Sequence, residues 1–168
     1  MTRSSRCRAL GAASLIVPAI FSLNACTTRT EPMKQAELID LATRYAAAWS
    51  SQDPEALASF YTEDGSLRVN GGDPAVGCAA IAAKARGFME AFPDMVVTME
   101  SVRRENGRVI FSWIWTGTNT GPGGTGSSVR ITGFEAWTLS AGGLIVASDG
   151  HYDEAEYQRQ LASGAGAS

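Results

Sequence analysis

His151 is the only histidine in the 168-residue chain, and it stands two residues after Asp149 and beside Tyr152 and Asp153. An imidazole titrates near neutral pH, so a lone histidine at the end of a β-rich run suits general acid or base work. Glu135 lies in the preceding β-rich run, and the turn Ala141-Gly142-Gly143 joins the two runs into a hairpin. Such a hairpin brings Glu135 and Asp149 into one neighbourhood, where paired carboxyls in a dry cavity push one pKa upward and create an acid. His151, Asp149 and Glu135 are therefore the candidate catalytic residues. The competing reading has His151 bonded to strand-end backbone and the two acids facing solvent.

A second group suits binding rather than proton transfer. Phe111, Trp113 and Trp115 alternate with Ser112, Ile114 and Thr116, so the aromatics share one face of a strand, and by the same parity Asn119 continues that face. An aromatic wall with one amide at its rim suits a flat or greasy ligand. Trp113, Trp115, Asn119, Phe134 and Tyr152 are the candidate ligand-pocket residues. The same aromatics also suit core packing or a sheet-to-sheet contact between two copies. Gly121-Pro122-Gly123-Gly124-Thr125-Gly126 lacks the Lys-Ser/Thr ending of a phosphate-binding loop and joins strand to strand, so it reads as a flexible rim. One histidine and scattered acids give no recognised metal-ligand spacing, and neither a metal nor any other cofactor is expected.

The N-terminus reads as an export leader. Arg3, Arg6 and Arg8 precede an apolar run from Ala9 to Leu23, and no acidic residue occurs before Glu31. The run closes on Leu23-Asn24-Ala25-Cys26, which resembles the bacterial lipobox and implies lipid on Cys26. The expected division is a signal over 1–25, a polar tether over 26–34, one domain over 35–162 and a tail over 163–168. That makes the membrane a partner through the lipid and the bacterial cell envelope the location. Of three cysteines, Cys7 would leave with the signal and Cys26 would carry lipid, so Cys78 is expected as a small buried thiol outside any intrachain disulfide. Removing the first 25 residues leaves 11 Lys/Arg against 17 Asp/Glu, a net charge of −6, which lacks the basic footprint of nucleic-acid binding. No apolar run after residue 26 is long enough to span a bilayer.

The elements that must position these residues follow from periodicity. Apolar residues from Leu38 to Trp49 recur at three- and four-residue steps, an amphipathic helix over Gln35–Trp49. Asp53 and Pro54 form the N-cap and first position of a second helix, with Leu57, Phe60 and Tyr61 on its apolar side. Glu63-Asp64-Gly65 reads as a turn before a short strand over Ser66–Asn70, and a third helix spans Cys78–Phe92 until Pro93 stops it. Four β-rich runs follow, over Val96–Glu105, Arg108–Thr118, Ser128–Leu139 and Leu144–Tyr152, and Asn106-Gly107 marks a tight hairpin between the first two. A last helix begins near Asp153, which caps it. Three helices followed by an antiparallel meander mean α+β.

Several segments together resemble the SnoaL-like branch of the nuclear transport factor 2-like superfamily. They are Ala46-Ala47-Ala48-Trp49, Gln52-Asp53-Pro54-Glu55-Ala56-Leu57, Phe60-Tyr61-Thr62-Glu63-Asp64, Ala91-Phe92-Pro93-Asp94, Trp115 through Gly121, and Gly143-Leu144-Ile145 through Tyr152-Asp153 to Gln160-Leu161. The resemblance implies a cone-shaped α+β fold with N-terminal helices on a curved antiparallel sheet, often a homodimer through the open sheet face. It also implies a cyclase-type aspartate on the last strand, but that position holds Gly150, with Asp149 one residue early. A one-residue step exchanges the faces of a strand unless a bulge intervenes. The Gly-Thr-His loop of such cyclases reads Gly117-Thr118-Asn119. The expected function is an envelope-anchored domain that binds a small apolar or aromatic molecule in its cone. The alternative is a cofactor-free cyclase, isomerase or epoxide hydrolase working through the same pocket.

Overall fold

A computed structural model describes residues 33–163. The expected leader over 1–25, most of the tether, the lipid site at Cys26 and the tail beyond residue 163 lie outside the described residues. The elements are α1 (Gln35–Ser50), α2 (Pro54–Ala58), β1 (Tyr61–Val69), β2 (Ala75–Val76), α3 (Cys78–Ala91), β3 (Val96–Glu105), β4 (Arg108–Thr118), β5 (Ser128–Leu139), β6 (Ile145–Tyr152) and α4 (Glu154–Ser163). They build one curved six-stranded sheet in the order β2-β1-β6-β5-β4-β3, an α+β fold. The pairs β3–β4, β4–β5 and β5–β6 are antiparallel, and β1 joins β6 in parallel.

Local chemistry sets most boundaries. Glu37 accepts the Lys34 backbone N–H at 2.7 Å to open α1, whose stripe of Leu38, Leu41, Ala42, Tyr45, Ala46 and Trp49 is buried. Asp53 accepts the Glu55 and Ala56 N–H groups and Pro54 takes the first position of α2, which lasts only five residues. Asn106 and Gly107 both have positive φ, as a two-residue hairpin with the sheet's twist requires. Asp153 accepts the Glu156 N–H at 3.0 Å and starts α4.

Three expectations change. Glu63-Asp64-Gly65 is not a turn: β1 starts at Tyr61 and runs through it, with its register against β6 broken between Tyr61 and Ser66. A Cβ at Gly65 would stand 3.0 Å from the carbonyl oxygens of Ile145 and Thr62, so the irregularity holds a glycine where strands approach closely. The glycine-rich loop is not a loose rim. Asn119 Nδ2 donates to the Ala91 carbonyl at 3.0 Å and Asn119 Oδ1 accepts from Thr125 N at 2.8 Å. Gly121 N also donates to the Ala91 carbonyl, and Thr118 N donates to Asp94 at 2.6 Å, which holds that carboxyl below its usual range. The loop thereby satisfies the orphan Ala91 carbonyl at the end of α3. Cys78, expected as a buried thiol outside any disulfide, is half-buried at the start of α3 and disulfide-bonded, its partner outside the described residues.

Candidate functional site

One face of the sheet carries α1 and α3, and alternation decides which strand residues reach the space between. On β4 the buried positions are Val109, Phe111, Trp113 and Trp115; on β5 they include Val129, Ile131, Glu135 and Trp137; on β6 they are Ile145, Ser148 and Gly150. A cavity of about 60 Å³ opens among Trp49 of α1, Phe88 of α3, Leu67 and Val69 of β1, Met95 and Val97 about β3, Trp113 and Trp115, Glu135, Gly150 and Tyr152. Phe88 stands perpendicular to Trp49 and to Trp115, with ring centroids 6.0 and 5.9 Å apart, so aromatic groups from three elements form a corner. Gly133 makes room for the adjacent wall: a Cβ there would fall 2.5 Å from Cζ2 and Cη2 of Trp113.

Glu135 is the carboxyl of this cavity, 5% exposed, and pairs in register with Gly150. Its Oε2 accepts three hydrogen bonds, from Ser148 Oγ at 2.5 Å, Tyr45 OH at 2.9 Å and Trp137 Nε1 at 3.0 Å. The Tyr45 and Tyr61 hydroxyls are 2.7 Å apart. Tyr45 spends its one proton on Glu135, so Tyr61 donates to Tyr45. None of these bonds falls on Oε1, which leaves that oxygen for the cavity. Burial pushes the Glu135 pKa up; the donors from Ser148, Trp137 and Tyr45 pull it down without overcoming burial. Burial, followed by the charge of Glu135, drives Tyr45 and Tyr61 well above the usual phenol range, so both stay neutral donors.

The other expected site residues divide by face. Trp113, Trp115 and Tyr152 line the cavity with Glu135. Asp149 pairs in register with Ala136 and points to the outer face, where Arg108 Nη2 contacts it at 2.7 Å and Arg68 Nε at 3.8 Å. His151 is exposed there too, stacked on Phe134 at 5.0 Å between centroids. Asp149 and Glu135 therefore do not converge, and His151 and Phe134 lie outside the cavity. The reason is register: β6 carries one extra residue against β5 between Ile145 and Ala147, so the inward positions after Ile145 are Ser148, Gly150 and Tyr152, and Asp149 and His151 face outward. Asn119 lies beyond the end of β4 and its side chain serves the loop, so the strand parity that aimed it at the pocket stops one residue too soon. Tyr45, Tyr61, Ser148, Trp137, Trp49 and Phe88 were missed. Parity from Glu135 finds Trp137, and parity from Gly150 finds Ser148; the two tyrosines carry no local signal of a partner on β5.

Among the described residues no group of three His, Cys, Asp or Glu side chains is placed to hold a metal ion. No helix among them is long and apolar enough to cross a membrane.

Helices packed on a curved sheet around an internal cavity define a cone of the ketosteroid isomerase and nuclear transport factor 2-like type. The chain belongs to the SnoaL-like domain family, whose model matches residues 42–148. It is similar to a Catenulispora acidiphila protein of ketosteroid isomerase-like fold, solved in complex with trimethylamine, at 18% identity over 73% of this chain and 92% of that one, with a TM-score of 0.65. A proposed SnoaL-like polyketide cyclase from Jannaschia is 17% identical over 77% and 92% of the two chains, with a TM-score of 0.65. A proposed hydroxylase from Streptomyces galilaeus is 22% identical over 77% and 83%, also with a TM-score of 0.65. No curated protein matches the chain.

Proposed function

We propose that this SnoaL-like domain binds a small, largely apolar or aromatic molecule in its cone. The observation that carries the reading is the cavity itself, walled by Trp49, Phe88, Trp113, Trp115 and Tyr152 around the single carboxyl of Glu135. Apolar walls with one placed polar group are the composition of small-molecule sites. Titration with toluene and cyclohexanol, followed by tryptophan emission, tests it. Trp113→Ala is expected to remove most of the affinity, on the order of 2 kcal/mol for a large aromatic contact in a desolvated pocket. His151→Gln and Asp149→Asn, on the outer face, are expected to leave affinity unchanged. An emission response that survives Trp113→Phe together with Trp115→Phe would place the ligand elsewhere.

One observation favours a second reading, cofactor-free acid or base catalysis: a buried carboxyl with a raised pKa stands at the cavity wall with one oxygen uncommitted. In that case Glu135→Gln abolishes turnover and spares binding, and the outer-face variants do neither. The proposal extends to the N-terminus, where lipid on Cys26 would hold the domain to the bacterial envelope. Mass spectrometry of the mature N-terminus checks this, and a chain that starts elsewhere overturns it. A thioether on the Cys26 sulfur excludes a disulfide there and Cys7 would leave with the leader, so lipid on Cys26 and the Cys78 disulfide exclude one another in the mature chain, and the same spectrum decides between them.

A further inference from the structure

We infer that the cone cavity is a site for a small methylated ammonium cation, held by the faces of its aromatic rings with the Glu135 carboxylate as counter-charge. This rests on the reading of the cavity as a binding site and narrows the ligand to one chemical class.

Three features lead there. The first is the wall: two tryptophans from β4, one from α1, a phenylalanine from α3 and a tyrosine from β6 line one cavity of about 60 Å³. Ring faces carry negative quadrupolar potential, and cages of several rings are the usual solution for a quaternary ammonium group, which draws on each ring within about 6 Å. The perpendicular contacts of Phe88 with Trp49 and Trp115 set these rings in different planes around the space.

The second feature is charge. Glu135 is the one ionisable carboxyl on the cavity wall, and no lysine, arginine or histidine shares that wall. The nearby cations of the sheet, Arg68 and Arg108, are spent on Asp149 across the sheet. A buried carboxylate without a cationic partner is expensive, so burial favours the protonated form of Glu135, and an anionic ligand would meet π-density, this carboxyl and two tryptophans whose indole N–H groups have no partner, but no cation. A cation supplies the missing counter-charge: as it enters, Glu135 gives its proton to solvent and the cavity stays neutral overall. The titratable groups that face Glu135 are Tyr45 from α1, Tyr61 from β1 and, across the cavity, Tyr152 from β6; burial raises all three, so none competes for that proton near neutral pH.

The third feature is the scarcity of acceptors. A primary ammonium needs up to three hydrogen-bond acceptors. Glu135 Oε2 is filled by Ser148, Tyr45 and Trp137, which leaves Oε1 and apolar walls. A nitrogen whose protons are replaced by methyl groups asks for no acceptor and gains from apolar contact.

The test compares choline and tetramethylammonium with the uncharged tert-butyl analogue of choline, which has the same shape. Tryptophan emission and calorimetry in two buffers of different ionisation enthalpy read affinity and proton release. Choline is expected to bind at least about tenfold tighter than the analogue, with tighter binding as pH rises and net proton release. Glu135→Gln retains an acceptor for Tyr45, Trp137 and Ser148, and is expected to remove that preference while the analogue binds as before. Phe88→Leu keeps volume but loses a ring face, and is expected to weaken choline more than the analogue; it decides the matter where Glu135→Gln does not fold. An analogue that binds as well as choline overturns the cation and leaves the apolar pocket standing. Choline, analogue and toluene all failing to bind would overturn both readings.

Discussion

Gly133 is where the cavity wall is most sensitive to a single added carbon. On β5 it pairs with Trp113 of β4 on one side and with Tyr152 of β6 on the other. An alanine Cβ there would stand 2.5 Å from Cζ2 and Cη2 of Trp113 and 2.5 Å from the His151 carbonyl oxygen. Carbon atoms rest about 3.5–4.0 Å apart, so the indole must retreat by at least about 1 Å. The carbonyl belongs to the β6 backbone and yields only at the expense of the ladder. Forced overpacking costs about 1–3 kcal/mol, and a clash that includes backbone belongs near the upper end, about 3 kcal/mol. For a domain of this size each kcal/mol moves the thermal midpoint by roughly 3–5 °C, so Gly133→Ala is expected to lower it by roughly 10–15 °C. Circular dichroism melts read the midpoint, and toluene titration reads the wall. Trp113→Leu in the Gly133→Ala background removes the ring clash, so the double variant should recover part of the loss, a coupling that a double-mutant cycle isolates. A Gly133→Ala chain that melts with the native protein, or a cycle with no coupling, would show that Trp113 does not rest on Gly133.

Stability should also report the protonation of Glu135. Its folded pKa is raised, so the folded chain keeps a proton that the unfolded chain has lost; stability falls as pH climbs from the ordinary glutamate range to the raised value, and is level above it. Glu135→Gln deletes that loss, so melts across this pH window should diverge in favour of the variant, and parallel curves would refute the assignment. Gly121→Ala places a Cβ 1.9 Å from the Glu90 carbonyl oxygen and 2.8 Å from the Ala91 Cα, and should loosen the loop from the end of α3 at a cost of about 1–3 kcal/mol. Hydrogen exchange of the Asn119, Gly121 and Thr125 amides checks this; unchanged protection would mean the loop is not anchored there. A homodimer through the outer sheet face, where Phe134 and Val146 are partly exposed, is expected at micromolar concentration. Light scattering that gives a monomer overturns it, and Phe134→Glu should dissociate a dimer.

What was legible in the chain divides along the range of the interactions. Asp53-Pro54 and Asn106-Gly107 act within a few residues, and both appear where their local chemistry requires. Alternation along β4 likewise places Trp113 and Trp115 on one buried face, because period two is a property of the strand alone. Glu63-Asp64-Gly65 misled for the converse reason: turn composition and bulge composition are alike, and only the parallel partner β6 decides between them. The carboxyl network lay further out of reach. Tyr45 meets Glu135 across 90 residues, and nothing in the α1 stripe distinguishes a tyrosine that packs from one that also donates a proton. The step from Asp149 to Gly150 shows the sharpest limit, since strand parity was readable there and the extra residue between Ile145 and Ala147 that sets it was not.

That step also explains why the acid sits where it does. The resemblance to polyketide cyclases implies an inward aspartate at the position of Gly150, and this chain has no side chain there. Directly opposite, on β5, stands Glu135. A Cβ at Gly150 would meet Glu135 Cγ at 3.5 Å and the Arg68 carbonyl at 3.4 Å, ordinary contact distances, so a small side chain would fit beside the carboxyl and this chain has none. Two antiparallel neighbours in register deliver side chains to almost the same point, and one carboxyl suffices for that point. A second carboxylate beside Glu135 would raise both pKa values by mutual repulsion and demand a counter-ion the walls do not hold. The glycine and the glutamate are thus one arrangement. The longer side chain reaches from β5 into its cradle of Tyr45, Ser148 and Trp137, and the missing side chain on β6 leaves the room beside it.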